Sequence, residues 1–292
     1  MRLVLALFLL TSSLSAQTPL QHEIRKIAAD ARGKVAVACA LPASSLKCDL
    51  QAHSRPPMQS VFKLPLAVCA LHLVEQGKFS LDQPIRFLPS DRILPETYSP
   101  LQDKYPNGDV DVPLRELLRL AASLSDNAAA DTVLRVAGGP AEVDGYIKSL
   151  GVQGFHLEDG EHALHRDASA QYRNWLEPAG AVQLLRRLSD NSPLTAEHTQ
   201  LLLGWLKDSP TGPHRIKAEL PAETAVMHKT GTSGVKNGLA AATNDLALIV
   251  LPDGRRLALA VFVTDSKADE ATREAVIARI AKAAYSAAVA RK

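Results

Sequence analysis

The chain has 292 residues, 33 Lys and Arg against 31 Asp and Glu, a net charge of +2, and only 4% aromatic residues. Acids and bases are interspersed, and no basic stripe is interleaved with aromatics, so the sequence gives no support to nucleic-acid binding. Abundant Ala and Leu point to a helix-rich protein packed by aliphatic side chains, long enough for one large core or for two lobes sharing one.

The opening MRLVLALFLLTSSLSAQ places Arg2 before an apolar run and then small residues. That is the layout of a secretory signal peptide over residues 1–16, with cleavage expected between Ser15 and Gln17. Its apolar run is short of the ~20 residues a bilayer requires. No later stretch of that length lacks charges. The expectation is a secreted, periplasmic and monomeric protein with no membrane attachment after cleavage; retention as an uncleaved anchor is the alternative.

Next comes an amphipathic stretch at 24–31, then two strands, 35–41 and 47–53, around the turn Pro42-Ala43-Ser44-Ser45. Cys39 and Cys48 flank that turn and are placed to pair across it. Cys69 lies in an apolar segment as a small hydrophobe. Three cysteines in an exported protein leave one odd thiol, and their spacing fits no zinc pattern. A helical pattern runs from 61 to 76 and ends at Gly77. Further helices are predicted at 114–124, 128–136, 141–150, 179–188 and 196–206, separated by Gly, Pro, Asn and Asp. Residues 154–175 break the pattern as a long polar loop, a length usually tied to function in a compact domain. Strands return at 225–230, 246–251 and 257–263, with Pro252-Asp253-Gly254-Arg255 as a hairpin turn, and a helix closes the chain at 270–290. The fold class is therefore α/β of the α+β type: a mainly antiparallel sheet built from both chain ends, flanked by helices, with an inserted all-helical lobe. Residues 17–62 and 208–292 form the discontinuous sheet domain, and 63–207 the helical domain containing the loop.

Ser60-Val61-Phe62-Lys63 is a Ser-x-x-Lys element. On a helix, positions i and i+3 share a face, so the Lys amine reaches the Ser hydroxyl and activates it. The pattern also occurs at Ser44/Lys47 and Ser233/Lys236, but only Ser60 opens a long apolar helix. Taken alone, Ser60 reads more readily as a mere N-cap with Lys63 in solvent. Ser125-Asp126-Asn127 falls at a helix break, where capping is the plain reading. Lys229-Thr230-Gly231 ends a strand and runs into Thr232-Ser233-Gly234, which suits an edge along which a ligand lies.

Together and in this order, the three elements are the signature of class A β-lactamases and penicillin-binding proteins. The chain resembles class A, and within it the PER- and VEB-type extended-spectrum branch. The finer likeness is carried by Thr97 to Pro106 (TYSPLQDKYP), Gln171 to Trp175 (QYRNW), His228 to Gly234 (HKTGTSG), Ala242 to Leu246 (ATNDL) and Pro252-Asp253-Gly254.

The resemblance implies Ser60 as nucleophile, either Lys63 or, through a water, Glu161 as the acceptor of its proton, Ser125 as the relay to the lactam nitrogen, and Glu161 as the base for deacylation. Backbone N–H groups of Ser60 and Thr232 would form the oxyanion hole. Asn127 would contact the substrate's acylamide, and Lys229, Thr230, Thr232 and Arg215 its carboxylate. His165 would help hold the hydrolytic water, and Tyr98 would flank the cleft. The implied substrates are β-lactams, penicillins and cephalosporins with oxyimino cephalosporins among them, and the implied outcome is antibiotic resistance without a cofactor. One departure stands out: the usual Arg–Asp ion pair at the loop's neck has no obvious counterpart, since Asp159 and Asn174 stand near those places, and a roomier loop is expected. A metal site at His156, His162, His165 and Glu161 is the rival reading of the loop. A penicillin-binding D,D-peptidase and a β-lactam sensor are the rival functions; a positioned Glu161 separates a lactamase from the first, and the second usually comes fused to a membrane segment.

Overall fold

The computed structural model describes residues 18–166 and 169–291, without the side chain of His165. The signal-peptide reading of 1–16 lies outside the described residues. In chain order the elements are α1 (Pro19–Ala28), β1 (Lys34–Ala40), α2 (Lys63–Glu75), β2 (Pro84–Phe87), α3 (Pro100–Lys104), β3 (Val110–Pro113), α4 (Leu114–Ser123), α5 (Asn127–Val136) and α6 (Pro140–Ser149). They continue with β4 (Phe155–His156), α7 (Glu161–Arg166), β5 (Trp175–Leu176), α8 (Pro178–Asp190), α9 (Ala196–Lys207), β6 (Val226–Thr232), β7 (Val235–Lys236), β8 (Leu239–Val250), β9 (Arg256–Ser266) and α10 (Glu270–Val289).

The main sheet is antiparallel in the order β1-β9-β8-β6, with β7 also on β8, so it is drawn from both ends of the chain. Successive side chains of a strand face opposite ways. Along β9, Leu257, Leu259, Val261 and Val263 therefore pack outward with Ile24 of α1 and Ile277 and Ile280 of α10, whereas Ala258, Ala260 and Phe262 face the helices on the other side. α2 is apolar around nearly its whole circumference and is buried accordingly, the central rod against which α4, α5 and α6 pack. Among the described residues, no helix is long and apolar enough to cross a membrane.

Three expectations need correction. Residues 47–53 do not form a strand; their backbone pairs with β1 at the single bridge Val37–Leu50, with N–H···O distances of 2.7 and 3.0 Å. The partner of β1 is instead β9, paired from Lys34–Thr264 to Ala40–Ala258. Cys39 and Cys48 are nevertheless disulfide-bonded across the loop, with Cα atoms 5.8 Å apart. Secondly, β8 begins at Leu239 rather than at 246, because polar Thr243, Asn244 and Asp245 are buried with hydrogen-bond partners. Thirdly, the segment 154–175 is not wholly irregular. It holds α7 and the β4 strand, which pairs with β5.

Candidate active site

Ser60 sits in a 3₁₀ turn, Gln59–Phe62, that leads directly into α2. Gln59 before it takes φ +48°, a left-handed conformation uncommon outside Gly and Asn, which marks a strained turn at this serine. β6 runs so close alongside that a Cβ on Gly231 would lie 2.4 Å from the Met58 carbonyl oxygen. Only glycine permits that approach. Asn244 on β8 completes the clamp by donating to Pro57 O at 2.8 Å and Met58 O at 3.2 Å.

The Ser60 hydroxyl donates to Glu161 Oε1 at 3.2 Å. Lys63 is buried and pairs with the same oxygen at 2.8 Å. Its ammonium also donates to Ser125 O at 2.8 Å and Asn127 Oδ1 at 2.5 Å. Lys63 Nζ thus has three oxygen acceptors within reach, one for each N–H bond an ammonium offers. Ser125 is left-handed at φ +61°, which turns the break between α4 and α5 toward the cleft. Its Oγ accepts from Lys229 Nζ at 2.9 Å. Burial, then the neighbouring Lys63 ammonium, lower the Lys229 pKa well below its ordinary value, and Glu161 and Asp245 oppose this only in part.

On the far side of β6, Thr230 donates to Thr211 at 2.8 Å. Buried Arg215 donates to Thr232 Oγ1 at 2.8 Å, to the carbonyls of Gly231 and Asn244, and to Glu274 at 2.9 Å. Ser60, Lys63, Ser125, Asn127, Glu161, Lys229, Thr230, Thr232 and Arg215 are thereby joined by direct contacts or short chains of them. Tyr98 is exposed beside the Ser125–Asn127 break; its phenol pKa is raised by partial burial and then by Asp126 and Asp103. The side chain of His165 lies outside the described residues. Asp126, the middle residue of its motif, has an architectural part. It caps α5 at Ala129 N and accepts from Ser99 Oγ and Leu101 N, which anchors the segment after Tyr98.

The loop carrying Glu161 is held in ways the sequence did not reveal. Asp131 on α5 accepts the N–H groups of Glu161 and His162 at 2.7 and 2.8 Å, acting as a carboxylate cap on the first turn of α7. Burial, then the Glu161 carboxylate, push its own pKa up to about 6. At the neck, Arg173 Nε meets Asp159 Oδ2 at 2.7 Å, so the expected absence of an Arg–Asp pair is wrong. The carboxylate is on the entering arm and the guanidinium on the leaving arm, one residue before the position examined in the sequence. Asn174 at that position is buried and binds the N–H groups of Glu158 and Asp159 through its oxygen. A roomier loop cannot be argued from a missing neck. As for the rival metal reading, His156 lies 3.6 Å from both Asp144 and Glu158 and packs on Trp175, whereas Glu161 faces Ser60 and Lys63.

A half-buried serine hydroxyl, a carboxylate and two buried lysines can perform nucleophilic attack and proton transfer. Comparison with known proteins identifies the setting. The model of the Beta-lactamase enzyme family matches residues 19–288. The chain is 41% identical over 272 residues to the extended-spectrum β-lactamase PER-1 of Pseudomonas aeruginosa, covering 93% of this chain and 88% of that one. To β-lactamase VEB-1 of the same organism it is 36% identical, covering 77% and 76%. A crystal structure of a β-lactamase from Chitinophaga pinensis superposes with a TM-score of 0.89 at 41% identity, covering 93% of this chain and all of that one. A class A representative from Bacteroides cellulosilyticus superposes at 0.86 with 30% identity, covering 93% and 97%. The chain belongs to the β-lactamase enzyme family, to class A and its PER- and VEB-like branch, and is a β-lactam hydrolase.

Proposed function

We propose that hydrolysis runs through an acyl-enzyme on Ser60, with Glu161 as the base for both half-reactions. The observation that carries this is the direct contact of the Ser60 hydroxyl with Glu161 Oε1 at 3.2 Å, beside a Lys63 whose nitrogen has three oxygen acceptors within reach. A lysine nitrogen engaged by three acceptors is poorly placed to receive the proton, whereas the carboxylate in contact with the hydroxyl is well placed. Ser60 Oγ attacks the lactam carbonyl, and the backbone N–H groups of Ser60 and Thr232 receive the developing oxyanion, commonly the largest single contribution to such catalysis. Ser125 accepts from Lys229 and passes its own proton to the departing lactam nitrogen; the proton that Glu161 took from Ser60 then passes through Lys63 to Ser125, which leaves Glu161 a carboxylate again for the second half-reaction. Thr230 and Thr232, the latter held by Arg215, receive the substrate carboxylate. Asn127, whose oxygen is taken by Lys63, offers its amide N–H groups to the acylamide. Glu161 then draws a proton from the water that cleaves the ester, with His165 holding that water and Tyr98 bordering the cleft.

In this reading the substrates include penicillins and oxyimino cephalosporins, on the strength of likeness to an enzyme named as extended-spectrum, and carbapenems turn over poorly. Export to the periplasm, monomeric state and the two-part domain division of 17–62 with 208–292 and 63–207 belong to the same proposal. Steady-state hydrolysis of a chromogenic cephalosporin and an oxyimino cephalosporin by purified protein tests it. Both should be hydrolysed, and Ser60→Ala should be inert. Activity surviving in Ser60→Ala would defeat the serine mechanism, and oxyimino compounds left untouched would defeat the specificity.

A further inference from the structure

We infer that Tyr172 and Asp265 form a latch that sets the width of the substrate cleft, a specificity-determining contact for the acyl-enzyme reaction proposed above, on which the inference rests. Tyr172 ends the short 3₁₀ turn Ala170–Tyr172 on the leaving arm of the catalytic loop. Its hydroxyl donates to Asp265 Oδ1 at 2.7 Å across 93 positions of sequence. Asp265 lies near the end of β9 in a left-handed conformation, φ +51°, which Asp and Asn tolerate better than other side chains. Lys34 at the start of β1 pairs with its other oxygen at 3.0 Å. The acceptor is therefore fixed by its backbone and by a cation before the tyrosine arrives. Partial burial, then Asp265 itself, push the phenol pKa up to about 12, so the hydroxyl remains a donor throughout the working range of pH.

The neighbouring Gln171 accepts from Gln59 at 2.9 Å, immediately before the nucleophile. Besides its contacts at the neck, the leaving arm is thus gripped by the serine's own turn and by the sheet. Ser60 lies between Glu161 on this loop and the β6 segment that carries Lys229 and Thr232. A lactam lying along β6 has the loop as its opposite wall, and substituents beyond the ring must fit under the arm. Glu161 is held separately, by Asp131 on α5. Releasing the latch lets the arm give way without withdrawing the base. Bulky side chains gain room, and compact ones gain nothing.

Three variants test this. Tyr172→Phe removes the donor and keeps the ring. Asp265→Gly removes the acceptor and keeps a left-handed backbone accessible. Asp265→Asn keeps a carbonyl acceptor at a tolerated φ. For each, kcat and KM are measured with benzylpenicillin and with an oxyimino cephalosporin, alongside the Tm. Tyr172→Phe and Asp265→Gly should each raise the cephalosporin-to-penicillin ratio of kcat/KM by roughly three- to tenfold, the range an ordinary solvent-exposed hydrogen bond accounts for. The change should lie in the cephalosporin KM. The double variant should go no further than either single, and Asp265→Asn should stay within roughly twofold of the parent. An active parent whose ratio is unmoved in both single variants would overturn the latch alone, as would additive effects or a uniform fall in kcat that follows Tm. A parent inert toward both compounds would overturn the acyl-enzyme reading and the latch with it.

Discussion

Asp131→Asn isolates the charge under the start of α7. In the folded protein the Asp131 carboxyl is raised from 3.8 to about 6, by burial first and the Glu161 carboxylate second, against the pull of two backbone N–H groups. Well below pH 3.8 it is protonated in both folded and unfolded chains and costs nothing. As pH rises the unfolded chain ionises first, so folding loses stability, and the loss is complete once pH passes about 6. A gap of about 2 pH units corresponds to about 3 kcal/mol. Asp131 borders a cavity of about 590 Å³ that admits solvent on one side, which brings the expected cost to about 2 kcal/mol. Asn does not titrate. It also gives up one of two acceptors for the α7 N–H groups, a cost that is the same at every pH. Thermal unfolding of parent and variant at pH 4 and pH 7.5 separates the two contributions. The variant's Tm relative to the parent should be about 4–8 °C more favourable at pH 7.5 than at pH 4. A difference that does not change with pH would refute a raised Asp131.

Arg173→Ala opens the neck pair with Asp159, and since the guanidinium is partly in water the loss should be about 1 kcal/mol, read as a Tm lower by about 2–4 °C. Its kcat should fall more than its KM rises, because the loop positions the base; an unchanged kcat and Tm would show the pair to be inconsequential. Non-reducing peptide mapping should join Cys39 to Cys48 and leave buried Cys69 free, its thiol pKa pushed up to about 12 and so unreactive. Replacing both bridged cysteines by Ser should cost about 2–3 kcal/mol for so short a loop, and three free thiols in the native protein would contradict the bridge.

Much of the site was legible because its chemistry rests on short contiguous motifs. Ser60 with Lys63, Ser125 with Asn127, and Lys229 with Thr230 and Thr232 each lie within a few residues, and each sits at an element boundary readable from hydrophobic period. The sheet was legible from its two ends, β1 and the β8–β9 hairpin, though not the pairing of β1. A period-2 pattern shows that a strand exists and leaves its neighbour unspecified, so the nearby 47–53 reads as the partner of β1 although β9 fills that place. What escaped were the long-range supports. Asp131 is a helical Asp with no local signature, and only the folded loop brings Glu161 N and His162 N onto it. The neck pair escaped for a similar reason: family position pointed to Asn174, and the guanidinium that meets Asp159 belongs to Arg173. Buried Asn244 and Asp245 looked like a strand's polar margin, while in the fold they tie β8 to the serine's turn and to His228.

The most direct test of the account is the fate of the ester in Glu161→Gln. Mixed with a chromogenic cephalosporin, this variant should release one equivalent more slowly than the parent, because Lys63 freed of its carboxylate partner must take over as acylation base, and then nearly stop. Intact-mass measurement should find a single adduct, and peptide mapping should place it on Ser60 rather than on Ser44 or Ser233. Glu158→Gln and Asp159→Asn should turn over nearly as the parent does. Near-normal steady-state turnover by Glu161→Gln, or an adduct that persists when Ser60 is also replaced by Ala, would contradict the mechanism.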